Sequence, residues 1–462
     1  MTLQTAPFSR PSHGSRADSL ARVAIVGRGF TGIMNAIALL KDFDLPFHLV
    51  MYDPSPRING GESVSRSGKT VLNSRVRDLS IDPTVRMDFK HWLETDEEWR
   101  SRQENSGEGV DHAFVSGEIF SGYVYQRFSE ALRQRTDVIV QIRAEAVIAV
   151  DADPRGGLQV LSGDGERTHF DAVFLATGYG VSERGEELAA SGRVEDAIVI
   201  GGGVQAVDRA LKLLAADEAS HVTLISASGF LPQSHTRAGV GPVASDKPLP
   251  GTLRGAFRFL REAANTAELE GTGWQGIMNG FRLRAGDLWK GLSSEERRRF
   301  KRHVKPIYDS HRNRLPPSHY KRLHEAIATG AITMKKGKVE RIATNGVLLS
   351  TSAGLQVLPA ERTIDCRIRP IDVDAPLFRS VFTSGLARRD ELELGVFVDS
   401  CGRAVVEPGV FHGLFAMGPL GLGSLPDIDQ VPEIVRQVYA AASTLRAWLH
   451  QPAPSFEPVG AE

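Results

Sequence analysis

Residues 22–53 read RVAIVGRGFTGIMNAIALLKDFDLPFHLVMYD and hold, in order, every part of a dinucleotide-binding βαβ unit. Val23 to Val26 form a short apolar run of the kind shown by a strand buried on both faces. Gly27-Arg28-Gly29-Phe30-Thr31-Gly32 follows and satisfies G-x-G-x-x-G. In that pattern the first glycine permits the tight turn, the second lets backbone amides approach a pyrophosphate, and the third lets the helix pack closely on the strand. Ile33 to Leu40 continue as a helix, and Phe47 to Tyr52 supply a second strand ending at Asp53. An acid at that distance is placed to accept the ribose hydroxyls of an adenosine. A lone glycine pattern is a weak signal. Its coincidence with strand, helix, second strand and acid predicts a nucleotide site with Gly27, Gly29, Phe30, Thr31, Gly32 and Asp53 as its contacts.

The unit recurs. Ala197 to Ile200 is a buried-strand run, Gly201-Gly202-Gly203-Val204-Gln205-Ala206 fits G-x-G-x-x-A, Val207 to Leu214 continues as helix, and Val222 to Ile225 is the next strand. Gly201, Gly203 and Ala206 are the contacts expected here. Between the copies the spacing predicts a helix near Phe89 to Trp92, a helix over Tyr123 to Gln134, a strand over Val138 to Ile142 and a strand pair over Ala146 to Val160. An apolar strand from Phe170 then closes on Ala176-Thr177-Gly178, where Thr177 and Gly178 would approach a dinucleotide at the carboxyl edge of a sheet.

Two such units predict an α/β protein of two Rossmann-like domains, an FAD-binding domain interrupted by an NAD(P)-type domain. A chain of 462 residues accommodates this, being too long for one core. The expected limits are 21–185 for the first part of the FAD domain, 190–360 for the inserted domain with its helical, basic stretch, and 361–450 for the return. Residues 1–20 and 451–462 read as disordered arms. Ile332 to Val357 reads as a small antiparallel sheet, and Ile364-Asp365-Cys366 as the closing strand where the chain returns. A strand at Gly395 to Val398, another at Gly413 to Met417, the turn Gly418-Pro419-Leu420-Gly421-Leu422-Gly423 and a helix from Val431 to Trp448 complete the carboxyl-terminal unit.

The second copy has a chemical gap. An NAD site wants Asp or Glu after its second strand and an NADP site wants Arg, but Ser226-Ala227-Ser228 offers neither. Arg237 or Lys247 could serve from a loop.

Charge and cysteine usage exclude several classes. Lys plus Arg at 55 against Asp plus Glu at 56 leaves a net charge of −1, so there is no global case for nucleic acid or an anionic membrane. The two cysteines, Cys366 and Cys401, are too far apart in sequence for a C-x-x-C redox pair, a thiolate metal cluster or a disulfide framework. No metal site is expected, and a reducing cytoplasm is the natural compartment. The first 20 residues lack the apolar core of a signal peptide, although their scarcity of acids leaves an organellar transit peptide open.

Arg297 to Arg314, RRRFKRHVKPIYDSHRNR, is the most basic stretch and ends at Leu315-Pro316-Pro317. A solvated helix face and a folded, anion-contacting element both fit it.

At this point the residues resemble a family of bacterial FAD/NAD(P)-binding proteins related to flavin-dependent N-hydroxylating and other single-component flavoprotein monooxygenases. The resemblance covers nearly the whole chain after residue 20 and implies a glutathione-reductase-like architecture. Leu72-Asn73 with Arg77 is similar to the family's L-N-x-P-A-x-R-M stretch, and Ser228 to His235 to its R-G-x-L-P-x-x-H. Phe300 to Pro317 is similar to F-x-R-H-x-R-P-x-W-D-x-x-R-H-R-x-P-P, and Gly418-Pro419-Leu420 with Gly423 to its last flavin-side motif. The resemblance implies flavin contacts at Asn73, Arg77, Gly418, Pro419, Leu420 and Gly423. The chain departs from the pattern at Ala227 and Ser228, where relatives carry arginines, and at Cys366-Arg367-Ile368-Arg369-Pro370, where they read C-T-G-P. It departs again at Tyr308, usually Trp, and at Asp427, often Glu.

The function expected is an FAD-dependent monooxygenase using NADPH or NADH and O2 to hydroxylate a small polar metabolite, at nitrogen in some relatives, through a flavin C4a-(hydro)peroxide. His235, His303, Tyr308, Asp309, His311 and Arg312 are the candidates for shaping that chemistry. A non-oxygenating flavin dehydrogenase or oxidase, and a non-catalytic flavin-binding regulator with a decayed second site, stay open. Substrate identity and oligomeric state are not legible.

Overall fold

The computed structural model describes residues 20–55, 70–96, 99, 109–179, 188–189, 192–237, 239–244, 247–368, 370–407 and 410–450. The expected arms, the 56–69 stretch and most of the polar segment before Asp111 lie outside them.

Alternation along the strands builds the first layer. In β1 (Ala21–Val26) Val23 and Ile25 face one core while Ala24 and Val26 face another. β1 pairs in parallel with β2 (Phe47–Tyr52), which pairs with β3 (Ile139–Arg143); on its other side it pairs with β7 (Ala172–Leu175), which pairs with β16 (Leu414–Ala416). The sheet order is therefore β16-β7-β1-β2-β3. One face is covered by α1 (Phe30–Asp42), α3 (Gly117–Gln134) and α11 (Val431–His450), with α2 (Asp88–Thr95) beside them. The other is covered by the antiparallel trio β4 (Val147–Ala152), β5 (Leu158–Ser162) and β6 (Arg167–Phe170), together with α10 (Pro376–Thr383).

The second layer repeats the plan. β9 (Val194–Ile200) pairs in parallel with β10 (Ala219–Ser226) and with β15 (Arg362–Asp365); β10 pairs with β11 (Ile332–Lys336), and β8 (Leu188–Ala189) closes the far edge antiparallel to β15. Ala197 and Val199 pack under α4 (Val204–Ala215) and α9 (Pro317–Ala328), while Ile198 and Ile200 pack under the meander β12 (Lys338–Ala343), β13 (Gly346–Thr351) and β14 (Gly354–Pro359).

Three expectations change. Ile332–Lys336 is not antiparallel but the parallel edge strand of the second sheet, because β10 sets its register from Val222 to Ser226; only the strands after it form the antiparallel sheet. Ile364 and Asp365 lie in the second sheet, so this sheet takes in residues 188–189 and 362–365 beyond the limits expected for the inserted unit. Gly395 to Val398 makes no strand of its own; single bridges Arg389↔Val396 and Val398↔Ala404 stand there, and the Asp390 carboxylate takes the Gly395 amide at 2.5 Å.

The inserted stretch folds as α5 (Leu253–Leu269) and α6 (Trp274–Gly291), then α7 (Ser294–Arg299), opened by a capping box between Ser293 and Glu296. A π-turn over Phe300–Val304 leads into α8 (Lys305–Arg312). Pro306, which has no amide hydrogen to donate, accounts for the helix changing its hydrogen-bond step here.

Phe174 and Phe415 stack with ring centroids 4.3 Å apart and are both fully buried, tying the carboxyl-terminal strand to the first sheet. Phe415→Ala is expected to lower unfolding stability by about 3–5 kcal/mol, read as a drop in urea midpoint.

Candidate cofactor sites and the seam between them

In the first sheet the strand order turns back on either side of β1, and such a switch point opens a crevice at the carboxyl ends of the strands. Gly27 closes it with φ at +101°, its amide donating to the Tyr52 carbonyl at 2.8 Å. A Cβ on Gly27 would come within 2.5 Å of the Ala176 carbonyl oxygen, and one on Gly32 within 1.9 Å of the Gly27 oxygen. Gly29 precedes α1, which has no side-chain cap, so its first amides stay available to an anion. Phe30 and Thr31 open the same helix. Both oxygens of Asp53 are aimed by backbone amides, Oδ2 accepting from Arg28 at 2.7 Å and Oδ1 from Ser55 at 2.8 Å. Each oxygen keeps a further lone pair for a hydroxyl.

Across the crevice Thr177 Oγ1 is buried without a hydrogen-bond partner among the described residues, and Gly178, with φ at +63°, has none of them where a Cβ would sit. Gly418, also left-handed at φ +61°, donates its amide to Gln437 Oε1 at 2.8 Å, and a Cβ there would meet Thr31 Oγ1 at 2.8 Å. The 3-10 turn Gly418–Gly421, with Pro419 and Leu420, thus rests on the start of α1. Gly423 is wedged against the Asp390 carboxylate, and its carbonyl accepts from Trp289 Nε1 at 3.1 Å. An orphaned hydroxyl, an uncapped helix start and a glycine-lined edge together fit a dinucleotide.

The second crevice repeats this at the switch between β9 and β15. Gly201, at φ +142°, donates to the Ile225 carbonyl at 2.8 Å, and its missing Cβ would lie 3.1 Å from Ala206 Cβ and 3.4 Å from the Cys366 carbonyl oxygen. Gly203 precedes α4, again without a side-chain cap, and has open space at its missing Cβ. The loops expected to supply a cation are tied by their backbones to arginines outside this crevice's strands. The Arg237 carbonyl accepts from Arg75 of the first domain, and the Lys247 carbonyl accepts from Arg284 on α6. In the divergent run after β15, Arg367 is held by Asp365 through its amide and both ends of its guanidinium.

The two domains meet along a seam made of segments far apart in sequence. His235 Nε2 lies 2.8 Å from the Asn73 carbonyl oxygen. Since that oxygen only accepts, the imidazole donates from Nε2 and keeps its lone pair on Nδ1. Burial first, then the charges of Arg314, Arg75 and Arg77, pushes its pKa down to about 4. Arg77 reaches the Val240 carbonyl only at 3.5 Å, whereas Arg75, almost fully buried over the Phe114 ring, donates to the carbonyls of His112, Thr236 and Arg237. Arg314 is 4% exposed and has no carboxylate partner among the described residues; Nε bonds the His311 carbonyl and Nη2 the Asn279 side-chain oxygen. Burial, then Arg282, lowers its pKa to about 10.

The basic segment divides: Arg298, Arg299, Lys301, Arg302 and His303 form the solvated face expected, while the second half turns inward onto acids. Arg312 lies buried between two acids, Nη1 reaching Asp427 at 2.5 Å and Asp429 at 3.1 Å. Burial alone would pull the guanidinium down, but Asp429, Asp427 and Asp309 together hold its pKa well above the usual value. Tyr308 donates to Asp427 at 3.1 Å, Tyr179 to Asp429 at 3.2 Å, and Arg282 Nε lies 3.4 Å from Asp427. Burial, then Asp427, raises the Tyr308 hydroxyl well above its ordinary pKa. Asp309 pairs with Lys305 and Arg312. His311 turns back on the Ile307 carbonyl and packs edge-on to Trp274. His303 is exposed in the π-turn and makes no hydrogen bond or ion pair among the described residues. The structure therefore joins Tyr308, Asp309 and Arg312 in one network and sets His235 in the seam. Asp429, Arg282, Arg314, Tyr179 and Arg75 were not singled out from sequence, since no local spacing marks them.

Residues 24–180 match the sequence model of a family described as FAD-NAD(P)-binding. This segment is an FAD/NAD(P)-binding domain. Around that domain the whole chain superposes on flavoproteins at low identity. An ornithine N-hydroxylase from Kutzneria sp. 744, whose structure holds reduced FAD, NADP+ and L-ornithine, is 15% identical at a TM-score of 0.62, covering 93% of this chain and 100% of that one. The L-lysine 6-monooxygenase of Pseudomonas syringae is 14% identical at 0.61, covering 92% and 99%. A bacillithiol disulfide reductase from Staphylococcus aureus is 12% identical at 0.52, covering 94% and 100%. No curated protein matches the sequence. Among the described residues no helix is long and apolar enough to cross a membrane, and no cluster of His, Cys, Asp and Glu could hold a metal ion.

Removing the cation from the buried network strands two carboxylates. Arg312→Ala is expected to cost about 3–5 kcal/mol, measured by chemical denaturation. His235 makes a pH prediction. Its folded pKa lies below the unfolded value of 6.5, so the unfolded chain binds the extra proton, and this contribution is full above pH 6.5 and lost as pH falls toward about 4. The urea midpoint difference between wild type and His235→Asn should shrink between pH 7 and pH 4.5, by up to about 3 kcal/mol.

Proposed function

We propose that the chain is an FAD-dependent, NAD(P)H-dependent monooxygenase that hydroxylates a small polar molecule, possible positions including nitrogen. The observation that carries this reading is the pair of matching crevices, each closed by a left-handed glycine, flanking one polar seam. Asp53 would hold the adenosine ribose of FAD, the amides at the start of α1 its pyrophosphate, and Thr177 Oγ1 and the Gly418 turn the parts nearer the ring system. Bound FAD supplies the electron transfer and the oxygen chemistry, which no side chain of the protein can provide.

The chain's own residues shape the surroundings. His235, held neutral with its Nδ1 lone pair uncommitted to Asn73, can accept a hydrogen bond from a substrate in the seam and orient it. The Arg314 guanidinium donates to an anionic or carbonyl group there, two of its nitrogens already fixing its direction. Tyr308, Arg312 and Asp309 act through the wall: they hold the Asp427–Asp429 loop against α8 rather than meeting substrate.

Support for oxygenation over reduction comes from the likeness to an ornithine N-hydroxylase and a lysine monooxygenase over nine-tenths of the chain, with Cys366 and Cys401 too far apart in sequence for a C-x-x-C redox pair. The same fold also carries a disulfide reductase, so the test must read oxygen directly. FAD-loaded protein mixed anaerobically with NADPH or NADH should bleach, and on oxygen admission with a screened amine or amino acid should yield hydroxylated product in excess of hydrogen peroxide. Bleaching followed only by peroxide would favour an oxidase. Gly201→Val should leave FAD content intact while slowing bleaching at least tenfold, because its side chain would collide within the second crevice alone.

A further inference from the structure

The end of β10 lacks the acid or arginine by which such a strand reads the adenosine ribose, and the two loops expected to replace it have their backbones anchored to Arg75 and to Arg284 on α6. The neighbouring strand supplies one. Ser226 is in register with Lys336, so the last residue of β11 stands beside the last residue of β10 at the same carboxyl edge. The Lys336 stem runs across the turn 226–230: a Cβ on Gly229, itself left-handed at φ +80°, would lie 3.0 Å from Lys336 Cδ and 3.3 Å from Cγ. Lys336 is exposed and forms no ion pair among the described residues, whereas nearby Lys338 is taken by Glu340 at 3.0 Å. Lys335, one residue earlier, points to the opposite face of the sheet.

The turn itself is built to present a hydroxyl. Ser226 Oγ accepts from the Gly229 amide at 3.1 Å and donates to the Phe230 carbonyl at 3.0 Å, so its proton is spent. Ser228 Oγ accepts from the Phe230 amide at 3.2 Å and has only Ser226 Oγ, 3.4 Å away, as another neighbour. With the Ser226 proton spent, only that 3.4 Å contact takes the Ser228 proton, which can turn to a ligand instead.

We propose that Lys336 and the Ser228 hydroxyl form the subsite for a ribose 2′-phosphate, making the second crevice selective for NADPH over NADH. This rests on the reading of that crevice as a nicotinamide nucleotide site. A phosphomonoester carries close to two negative charges at neutral pH and suits a lysine, which binds phosphate as a mobile point charge, beside a hydroxyl donor. The missing acid now has a reason, since a carboxylate after β10 would repel the phosphate. The missing arginines have a substitute one strand away.

The test is calorimetric titration of FAD-loaded protein with adenosine 2′,5′-bisphosphate and with 5′-AMP, which differ only in the 2′-phosphate. Wild type should bind the bisphosphate about tenfold or more tightly than 5′-AMP. Lys336→Gln should erase that preference while leaving 5′-AMP affinity and FAD content unchanged, and Lys336→Arg should keep it. Equal affinities in wild type, or a preference that survives in Lys336→Gln, would overturn the proposal and leave the crevice a nucleotide site. Binding of neither compound by wild type would overturn the nucleotide reading itself, and the subsite with it.

Discussion

The architecture depends on backbone meeting backbone without a side chain between. At Gly27 the turn after β1 comes so near the Ala176 carbonyl that a single methyl would overlap it, and Gly32 brings α1 against the same turn. In the second sheet the approach at Gly201 is looser, a Cβ there lying 3.1 Å from Ala206 Cβ and 3.4 Å from the Cys366 carbonyl oxygen. These approaches set how far the strands on either side of each switch point can separate, and so the width of each crevice. Everything hung on the strand ends, from Asp53 to Thr177 and Ser228, inherits its position from those contacts.

A second constraint joins the halves. Arg312, Asp427, Asp429, Tyr308, Tyr179 and Arg282 are brought from the inserted helices, from the end of β7 and from the loop before α11. Asp427 sits at φ +64°, a left-handed conformation that Asp tolerates better than most residues. Three donors on one carboxylate hold it there. Breaking the set leaves buried charge, so the network acts as a rigid strap from the insert to the flavin-side loop.

Much of the fold was legible because it follows from period and glycine placement. The two G-x-G-x-x-[G/A] turns, their strands and helices, and the Ala176-Thr177-Gly178 edge all stand within a residue or two of where the pattern puts them. Strand partners were not legible: Ile332–Lys336 has the same composition whether it pairs parallel to β10 or with β12, and only tertiary register decides. The site was legible in part. His235 and Asn73 drew notice as fragments of separate motifs, but nothing local said that they touch. Tyr308 and Asp427 stood out as two unrelated departures from a resembled pattern, yet in space they are one hydrogen bond. Arg314 and Arg75 looked like two arginines among many, because their burial is invisible in sequence.

The edge of the second sheet has a consequence for how such a chain could arise. Its entry strand β8 and its exit strand β15 lie side by side, Ala189 opposite Arg362 and Leu188 opposite Thr363. The chain therefore leaves the first domain and comes back to it through one hydrogen-bonded gate. A piece bounded in this way needs little distance bridged when it is removed or exchanged, since the host's two loose ends already lie next to each other. The inserted half is in that sense a cassette, free to change the residues at its strand ends while the first domain stays as it is.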